Sequence, residues 1–399
     1  MAVKKRFDAI QTLRFMMFLI VFAEHAQFYR HTGIPNFGEL CAMNIFLMMS
    51  GFLMVYSYID REVPTDLRGC FKFSAGKLKK LYPLHAETAI IQLLFIIIAY
   101  WDMFITADQV HIESLLFRLT VNLTLMQAWV PDFRNYVFNF NGPSWFLSVM
   151  LFAYCMFPLM LKLLKKLESK KKILIFTAGV VAVSFIAELA VMLLTGNNGP
   201  DSASAAAQGG DVFTWFTQNS PIMRTVDFYL GTVLGYLYVQ NRKTGDPDSK
   251  PYSKGKWTVI ELFVILFFYL GSYYIAALFI LGIGDIGKLI VLCQPIFATV
   301  FAVPMLMVFI WERGFITKAL SWKPLVYLGN ISMYTYLIHY IFTQGWATFC
   351  MWQNIENSGT KRMIAIPVEF ALTIGVSVLY DKLQKHKAAV KKEKAKAAQ

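Results

Sequence analysis

The chain has little charge for its length and no stretch typical of a soluble domain. Only 16% of its 399 residues are charged, 57% are hydrophobic, and the mean hydropathy is +0.49. A soluble protein of this composition would expose large apolar patches to water, which excludes the soluble globular classes. Long uncharged runs recur along the chain, and no segment between them is long enough to build a separate core. The sequence therefore predicts an all-α fold, a polytopic bundle of membrane helices.

The chain also lacks paired cysteines, metal-binding histidine motifs and a signal-peptide cleavage site. The cysteines are Cys41, Cys70, Cys155, Cys293 and Cys350. They form no CxxC pair, so we predict small buried apolar residues rather than disulfide or zinc ligands. The six histidines are scattered without an HExxH spacing, which predicts no metal and no bound cofactor. No small-residue cleavage site follows the first apolar run. We therefore interpret this run as a retained signal anchor.

The net charge of +13 is distributed in a way that favours a membrane topology over nucleic-acid binding. Lys and Arg form clusters that alternate with apolar runs, as the positive-inside rule requires. The candidate spans are 10–29, 38–58, 82–104, 144–163, 173–194, 221–240, 257–281, 286–310, 325–349 and 363–381. This pattern predicts about ten transmembrane helices with both termini in the cytosol. We divide the chain into a transmembrane domain, 1–382, and a basic cytosolic tail, 383–399.

The first apolar run carries three ionisable side chains, Arg14, Glu24 and His25. Such groups are costly in a membrane and usually face a protein interior or a water-filled cavity, so they indicate a function. Arg14 and His25 are 11 positions apart, which in a helix is within roughly 20° of three full turns. Their side chains are therefore predicted to share one face, about 16 Å apart along the axis. The alternative is a histidine with a structural role.

Two further segments each have a packing interpretation and a functional one. In the second span, Gly51 allows another helix to approach closely and Ser50 offers a hydroxyl. Lys77 and Lys80 lie three positions apart and share a face if the segment is helical. These lysines predict either a positive-inside anchor or a phosphate-binding cluster that meets Arg14 at the cytosolic side.

Aromatic and hydroxyl-bearing residues mark the fourth, sixth and ninth spans. Trp145 opens the fourth span, where a tryptophan is typical of the aromatic belt. The GxxxG of Gly231 and Gly235 in the sixth predicts a packing face. In the ninth, His339 follows Tyr336 and further hydroxyls, an unusual group for lipid surroundings. It predicts either a hydrogen bond between helices or a cavity lining.

Five short motifs follow one another along the chain. They are Arg14 with His25, Ser50-Gly51-Phe52, Lys77 and Lys80 before Tyr82-Pro83, Trp145-Phe146-Leu147-Ser148, and Ile331 to His339. Together they resemble the acyltransferase 3 family, the multi-span O-acyltransferases of bacterial surface glycans, over about residues 6–382. Two positions depart from the family pattern. The lysine pair replaces arginines, which keeps the charge and loses bidentate phosphate geometry, and Met150 stands where a glutamate is common.

The resemblance implies transfer of an acyl group, usually acetyl from acetyl-CoA as co-substrate, to a hydroxyl of an extracytoplasmic or lipid-linked sugar. His25 would be the general base or a transient acyl carrier, because imidazole exchanges protons near neutral pH. Arg14, Lys77 and Lys80 would hold the CoA phosphates at the cytosolic face. Glu24 lies about 100° around the helix from His25 and would tune the field of the cavity or bind sugar.

The remaining site candidates are cavity or acceptor contacts. They are Ser50, Trp145, Tyr336 and His339. The expected partners are acyl-CoA, a glycan acceptor and the lipid bilayer, with no nucleic acid. Because the chain has no appended hydrolase-like domain, a separate extracytoplasmic chain is a further candidate partner. The expected location is the bacterial plasma membrane, as a multi-pass protein.

Two rival functions use the same residues. A transporter or flippase of a glycan intermediate would line its path with these buried charges. The lack of an internal repeat disfavours a transporter built from repeats. A scaffold subunit without activity would tolerate loss of His25, and it is suggested by Met150 and by the lysine pair.

Overall fold

The computed structural model describes residues 6–32, 39–101, 105–106, 109–131, 140–194, 212–244, 251–281 and 299–397. Helix makes up 86% of the structure, and the described ranges contain no strand. The prediction of an all-α fold is confirmed.

The helices are numbered here in chain order. They are α1 (Asp8–His25), α2 (Phe28–Thr32), α3 (Glu39–Tyr58), α4 (Leu67–Leu78), α5 (Tyr82–Ala99), α6 (Gln109–Leu123), α7 (Trp145–Lys166), α8 (Lys170–Leu194), α9 (Val212–Gln218), α10 (Pro221–Thr244), α11 (Lys254–Leu281), α12 (Thr299–Trp311), α13 (Phe315–Leu320), α14 (Lys323–Asn330), α15 (Ser332–Trp352) and α16 (Gly359–Ala397). The residues where the cytosolic tail was predicted to begin lie within α16, which continues without a break.

Six of the described helices are long and apolar enough to cross a membrane. These are α3, α5, α7, α8, α11 and α16. Helices α1, α10 and α15 also lie at predicted spans, but their polar side chains lower their mean hydropathy below that of the six candidate spans. Much of the predicted span 286–310 lies outside the described residues, and its described part is α12. The structure therefore supports a multi-pass membrane protein with six candidate spans.

Glycines bring α3 and α10 into backbone contact. A Cβ on Gly51 would lie 2.1 Å from the carbonyl oxygen of Phe228, and one on Gly231 would lie 2.0 Å from that of Met48. Gly235 repeats the pattern one turn later, where a Cβ would meet the carbonyl oxygen of Phe52 at 2.9 Å. Only a residue without a side chain permits this approach. The predicted packing roles of Gly51 and of the GxxxG are confirmed.

Helix α1 lies at the centre of the bundle, against α3, α14 and α15. Gly329 of α14 packs against the backbone of Gln11, where a Cβ would lie 1.8 Å from the carbonyl oxygen. The chain then turns at Ile331 before α15 begins at Ser332. The predicted span 325–349 was wrong in this respect, because two helices, α14 and α15, replace one.

Four of the five cysteines lie in the described residues, and they match their prediction. Cys41, Cys70, Cys155 and Cys350 are free and buried. Cys293 lies outside the described residues.

Candidate active site

Two histidines from distant parts of the chain meet inside the bundle. The Nε2 atom of His339 lies 3.3 Å from Nδ1 of His25, and the ring centroids are 5.1 Å apart. His339 is 0% exposed, whereas His25, the last residue of α1, is half-buried. The sequence predicted both as interior histidines but did not predict that they form a pair.

The hydrogen bonds assign the tautomers of this pair. Nδ1 of His339 lies 2.7 Å from the carbonyl oxygen of Tyr336, which can only accept, so this nitrogen carries the proton. Nε2 of His339 is then an acceptor. Nδ1 of His25 lies 3.0 Å from the carbonyl oxygen of Val21 and faces that acceptor nitrogen, so it also carries its proton. The lone pair of His25 is therefore on Nε2, the nitrogen able to take a proton from a substrate.

Aromatic rings surround the histidine pair. Phe18 and Phe22 of α1 present their edges to His339, with centroids 5.7 and 6.3 Å away. Tyr340 packs edge-on against His25 at 5.5 Å. These rings give the pair an apolar surrounding, which strengthens the polar contact between the imidazoles.

The chain before α7 forms the floor of the site. The Tyr336 hydroxyl donates to the carbonyl oxygen of Pro143 at 2.8 Å. Asn141, buried with a φ of 43°, donates from Nδ2 to the Thr88 hydroxyl at 2.7 Å and to the carbonyl oxygen of Leu337 at 3.0 Å. These bonds tie α5, α7 and α15 together beside His339. Asn141 was not predicted as a site residue, although an Asn-Gly-Pro sequence is a recognisable turn signal.

Trp145 is buried, with 6% of its surface exposed, and packs edge-on against Phe146. The belt interpretation, which would place the ring among lipid head groups, does not fit this position. Met150 is also buried in the core, one helical turn further along α7. Glu24 is half-buried beside the site.

Arg14 lies at a second level of the site, further along α1 from the histidines. Its guanidinium donates to the side chain of Gln11 at 3.3 Å and lies near Tyr154 of α7. The Tyr154 hydroxyl lies near that of Ser50. Ser50 also donates to the carbonyl oxygen of Phe46 at 2.8 Å. Arg14 and Ser50 are thus brought together through α7.

Lys77 and Lys80 have different surroundings. Lys77 donates to the Tyr58 hydroxyl, and its ammonium lies 4.0 Å above the Tyr58 ring and 5.0 Å from Phe73. Lys80 is exposed. Among the described contacts, neither lysine touches Arg14. The cluster is therefore a set of separate cations rather than a single closed pocket.

Sequence analysis also missed the residue that holds the end of α1. Arg362 of α16 donates from Nε and Nη2 to the carbonyl oxygen of Ala26, at 2.9 and 2.7 Å, and it is paired with Glu369. Ala26 is the C-cap of α1 and directly follows His25. The available signal was a pair of opposite charges seven residues apart, on one face of an apolar helix.

Comparison with known proteins fits these features. The family model described as an acyltransferase domain, that of the acyltransferase 3 family, matches residues 7–382. The chain is similar to the acyltransferase MdmB of Streptomyces mycarofaciens, with 28% identity over 242 residues. That alignment covers 58% of this chain and 57% of the relative, so the match spans just over half of each protein. No solved structure matches the chain. Because the family model covers nearly the whole sequence, the chain belongs to the acyltransferase 3 family.

Proposed function

We propose that this protein is an integral-membrane acyltransferase that moves an acyl group, acetyl in the first instance, from cytosolic acyl-CoA to a hydroxyl of an extracytoplasmic or lipid-linked glycan. The observation that carries this proposal is the contact between the half-buried His25 and the buried His339, with Nδ1 of His25 held between two acceptors. Membership of the family and the acyltransferase relative support the reaction class. The choice of acetyl, CoA and glycan rests on the family resemblance.

In the direct reaction, Nε2 of His25 takes the proton of the acceptor hydroxyl as its oxygen attacks the thioester carbonyl. The new C–O bond forms, the C–S bond breaks, and the CoA sulfur leaves as a thiolate that the imidazolium can reprotonate. The positive charge on His25 is stabilised by Nε2 of His339 and by the Val21 carbonyl oxygen. In the alternative, Nε2 of His25 attacks the thioester carbonyl, the C–S bond breaks and CoA leaves as a thiolate. The acceptor hydroxyl then attacks the acyl-imidazole, its proton passes to the thiolate, and the C–N bond breaks to give back the free Nε2 of His25.

In this proposal, the cations on and beside α1 and α4 would receive the polyanionic end of the donor. Arg14 lies about 16 Å along α1 from His25, a distance that the pantetheine arm can cover. Lys77 at the end of α4 would meet the phosphates as a point charge, because an ammonium lacks the planar fork of a guanidinium. Its contact with Tyr58 fixes its position. Lys80 is exposed and would contribute by electrostatic attraction.

The test is mass spectrometry of surface glycans from cells that carry the wild-type protein, a deletion, His25→Ala or His386→Ala at matched membrane levels. His386 lies in the distal part of α16 and is a control for the loss of an imidazole. We expect the deletion and His25→Ala to lose the same acyl mass, and His386→Ala to keep it. A His25→Ala strain with unchanged glycans would refute the catalytic assignment. Loss of a whole glycan, rather than of its acyl group, would favour a flippase.

His339→Gln tests the supporting histidine separately. The amide oxygen of glutamine can accept a hydrogen bond but is a much weaker base than the imidazole nitrogen, so it stabilises an imidazolium less. We therefore expect slower transfer at neutral pH by tenfold or more, or about 1.4 kcal/mol in the barrier. The measurement is acyl-CoA consumption by the purified protein as a function of pH. A rate equal to the wild type across the pH range would show that the pair has only a structural role.

A further inference from the structure

A buried carboxylate lies two turns into α11, away from the histidine pair. Glu261 is 0% exposed, although most of the apolar part of α11 faces outward. A carboxylate in an apolar helix is costly unless hydrogen-bond donors surround it. The donors around Glu261 therefore indicate its role.

Four donors from the turn that leads into α13 surround this carboxylate. Oε1 of Glu261 accepts from the Gly314 amide at 2.7 Å and from the Thr317 hydroxyl at 2.5 Å. Oε2 accepts from the amides of Ile316 and Thr317, each at 3.1 Å. A carboxylate has about four acceptor positions, so these donors satisfy it. Because hydrogen bonds to an ionised acceptor are the stronger kind, Glu261 fixes the turn to α11.

Gly314 leaves the space that the carboxylate occupies. A Cβ at this position would lie 2.2 Å from Oε2 of Glu261. The φ of Gly314 is −90°, which a residue with a side chain can also adopt. The glycine is therefore required for space rather than for its backbone conformation, and the turn is fitted to the carboxylate.

The segment that Glu261 fixes forms two hydrogen bonds to the first turns of α1. Before the turn, the side chain of Glu312 accepts from the Ala9 amide at 2.8 Å. This amide is among the first N–H groups of the helix, which have no acceptor within it. After the turn, the carbonyl oxygen of Leu320 accepts from the Thr12 hydroxyl at 2.6 Å. The position of the turn thus sets the depth and the rotation of α1.

Arg14 lies on the same part of α1, two residues beyond Thr12. In a helix, Ala9 and Thr12 lie about 140° and 160° around the axis from Arg14. Arg14 lies near Tyr154 of α7. The segment 312–320 therefore contacts α1 on the side opposite to Arg14, and a shift of this segment would move the guanidinium relative to α7.

We propose that Glu261 is a positioning residue for the donor site, which holds the segment 312–320 and through it α1, so that Arg14 meets the phosphates of CoA. The inference rests on the proposed function, in which Arg14 binds those phosphates. Charge alone predicts the opposite effect, since loss of a carboxylate would strengthen the binding of a polyanion. In Glu261→Gln, an amide N–H group faces N–H or O–H donors, so hydrogen bonds to the turn are lost and CoA binding weakens.

The test measures the Kd of CoA for the full-length protein in micelles by isothermal titration calorimetry. We expect Glu261→Gln to raise the Kd about tenfold, since a displacement of about 1 Å at a positioned group can cost about 100-fold. Gly314→Ala displaces the carboxylate but keeps its charge, and should have a similar effect. Glu168→Gln is the control, because it removes a carboxylate whose side chain is 78% exposed. It should not raise the Kd.

A double variant separates positioning from a general structural role. If Glu261 acts through Arg14, the Kd of Arg14→Gln/Glu261→Gln should equal that of Arg14→Gln alone. Losses that add would show that Glu261 affects CoA binding independently of Arg14, and would overturn the inference. A wild-type Kd in Glu261→Gln, when Arg14→Gln binds weakly, would overturn it as well and leave the donor site intact.

Hydrogen exchange tests the contact with α1 without a ligand. The Ala9 amide should exchange faster in Glu261→Gln and in Gly314→Ala than in the wild type. Exchange at the wild-type rate in both variants would show that Glu261 does not hold α1, whatever binds CoA. A wild-type Kd in Arg14→Gln would instead refute the donor site of the proposed function.

Discussion

The contact between Arg362 and the end of α1 leads to a prediction that separates stability from catalysis. The side chain of Arg362 is 2% exposed, and that of its partner Glu369 is 5% exposed. In Arg362→Met, Glu369 is left buried without its partner, and the carbonyl oxygen of Ala26 loses two donors. Breaking a buried pair by removing one member typically costs about 3–5 kcal/mol. We expect destabilisation of about 3 kcal/mol, measured by denaturant unfolding in micelles.

The double variant Arg362→Met/Glu369→Leu distinguishes the two roles of this arginine. Replacement of a buried ion pair by apolar residues is often neutral, whereas the Ala26 carbonyl still lacks its donors. We therefore expect its stability to recover only in part, to about 1–2 kcal/mol below the wild type. Acyl transfer should stay at least tenfold below the wild type, because Ala26 directly follows His25 and misplacement of a catalytic group by 1 Å can cost about 100-fold. Activity is measured by acyl-CoA consumption.

Lys361→Met is the control, since Lys361 is the neighbouring exposed cation. It should change neither stability nor rate. If the double variant recovers full activity together with stability, Arg362 has a structural role alone. If the single variant costs less than about 1 kcal/mol, the buried pair makes no large contribution to stability, and the magnitude argued from its burial is wrong.

Two further predictions concern helix packing and the cytosolic helix α4. Gly231→Ala should destabilise the protein by about 1–3 kcal/mol in the same unfolding assay, because its Cβ would collide with the Met48 backbone. A Cβ at Gly375 would meet no atom within 4 Å, so Gly375→Ala should stabilise the helix by about 0.5–1 kcal/mol. Equal effects of the two substitutions on stability would contradict the packing argument. Burial and the charge of Asp66 raise the pKa of the Cys70 thiol above its ordinary 9.0, so its alkylation by iodoacetamide should rise with pH to a midpoint above 9.0. Asp66→Ala removes the charge and the N-cap of α4, and should both speed alkylation and lower that midpoint, whereas an unchanged profile would refute the assignment.

The predictions from the sequence were most accurate where the type of a single residue determines its surroundings. A glycine in an apolar run allows close helix contact whatever the partner, and Gly51 and Gly231 are in such contact. A histidine in a long apolar run must be buried or face a cavity, and His25 and His339 lie in the interior. The all-α class followed from the apolar composition, because a backbone in lipid must satisfy its hydrogen bonds within the same segment.

The sequence was less informative where two residues define a feature together. The His25–His339 contact joins positions 314 residues apart, and no local pattern specifies it. The sequence left open whether Lys77 is a positive-inside anchor or meets Arg14. The ring of Tyr58 offers it both a hydroxyl and a π face, and this local contact determines its position. The pairing of Arg362 with Ala26 depends on a backbone carbonyl, which has no signature in the sequence.

Helix α3 separates the histidine pair from the buried Arg224, and its packing partners determine how each responds to a change. The Arg224–Asn44 bond crosses from α10 to α3, about one turn from the contact of Gly231 with Met48. The histidine pair joins α1 to α15 and does not involve α10. A side chain at position 231 should therefore lower the stability of the protein more than it slows acyl transfer by the folded protein. A large loss of transfer at matched levels of folded protein would show that α10 also positions the histidine pair.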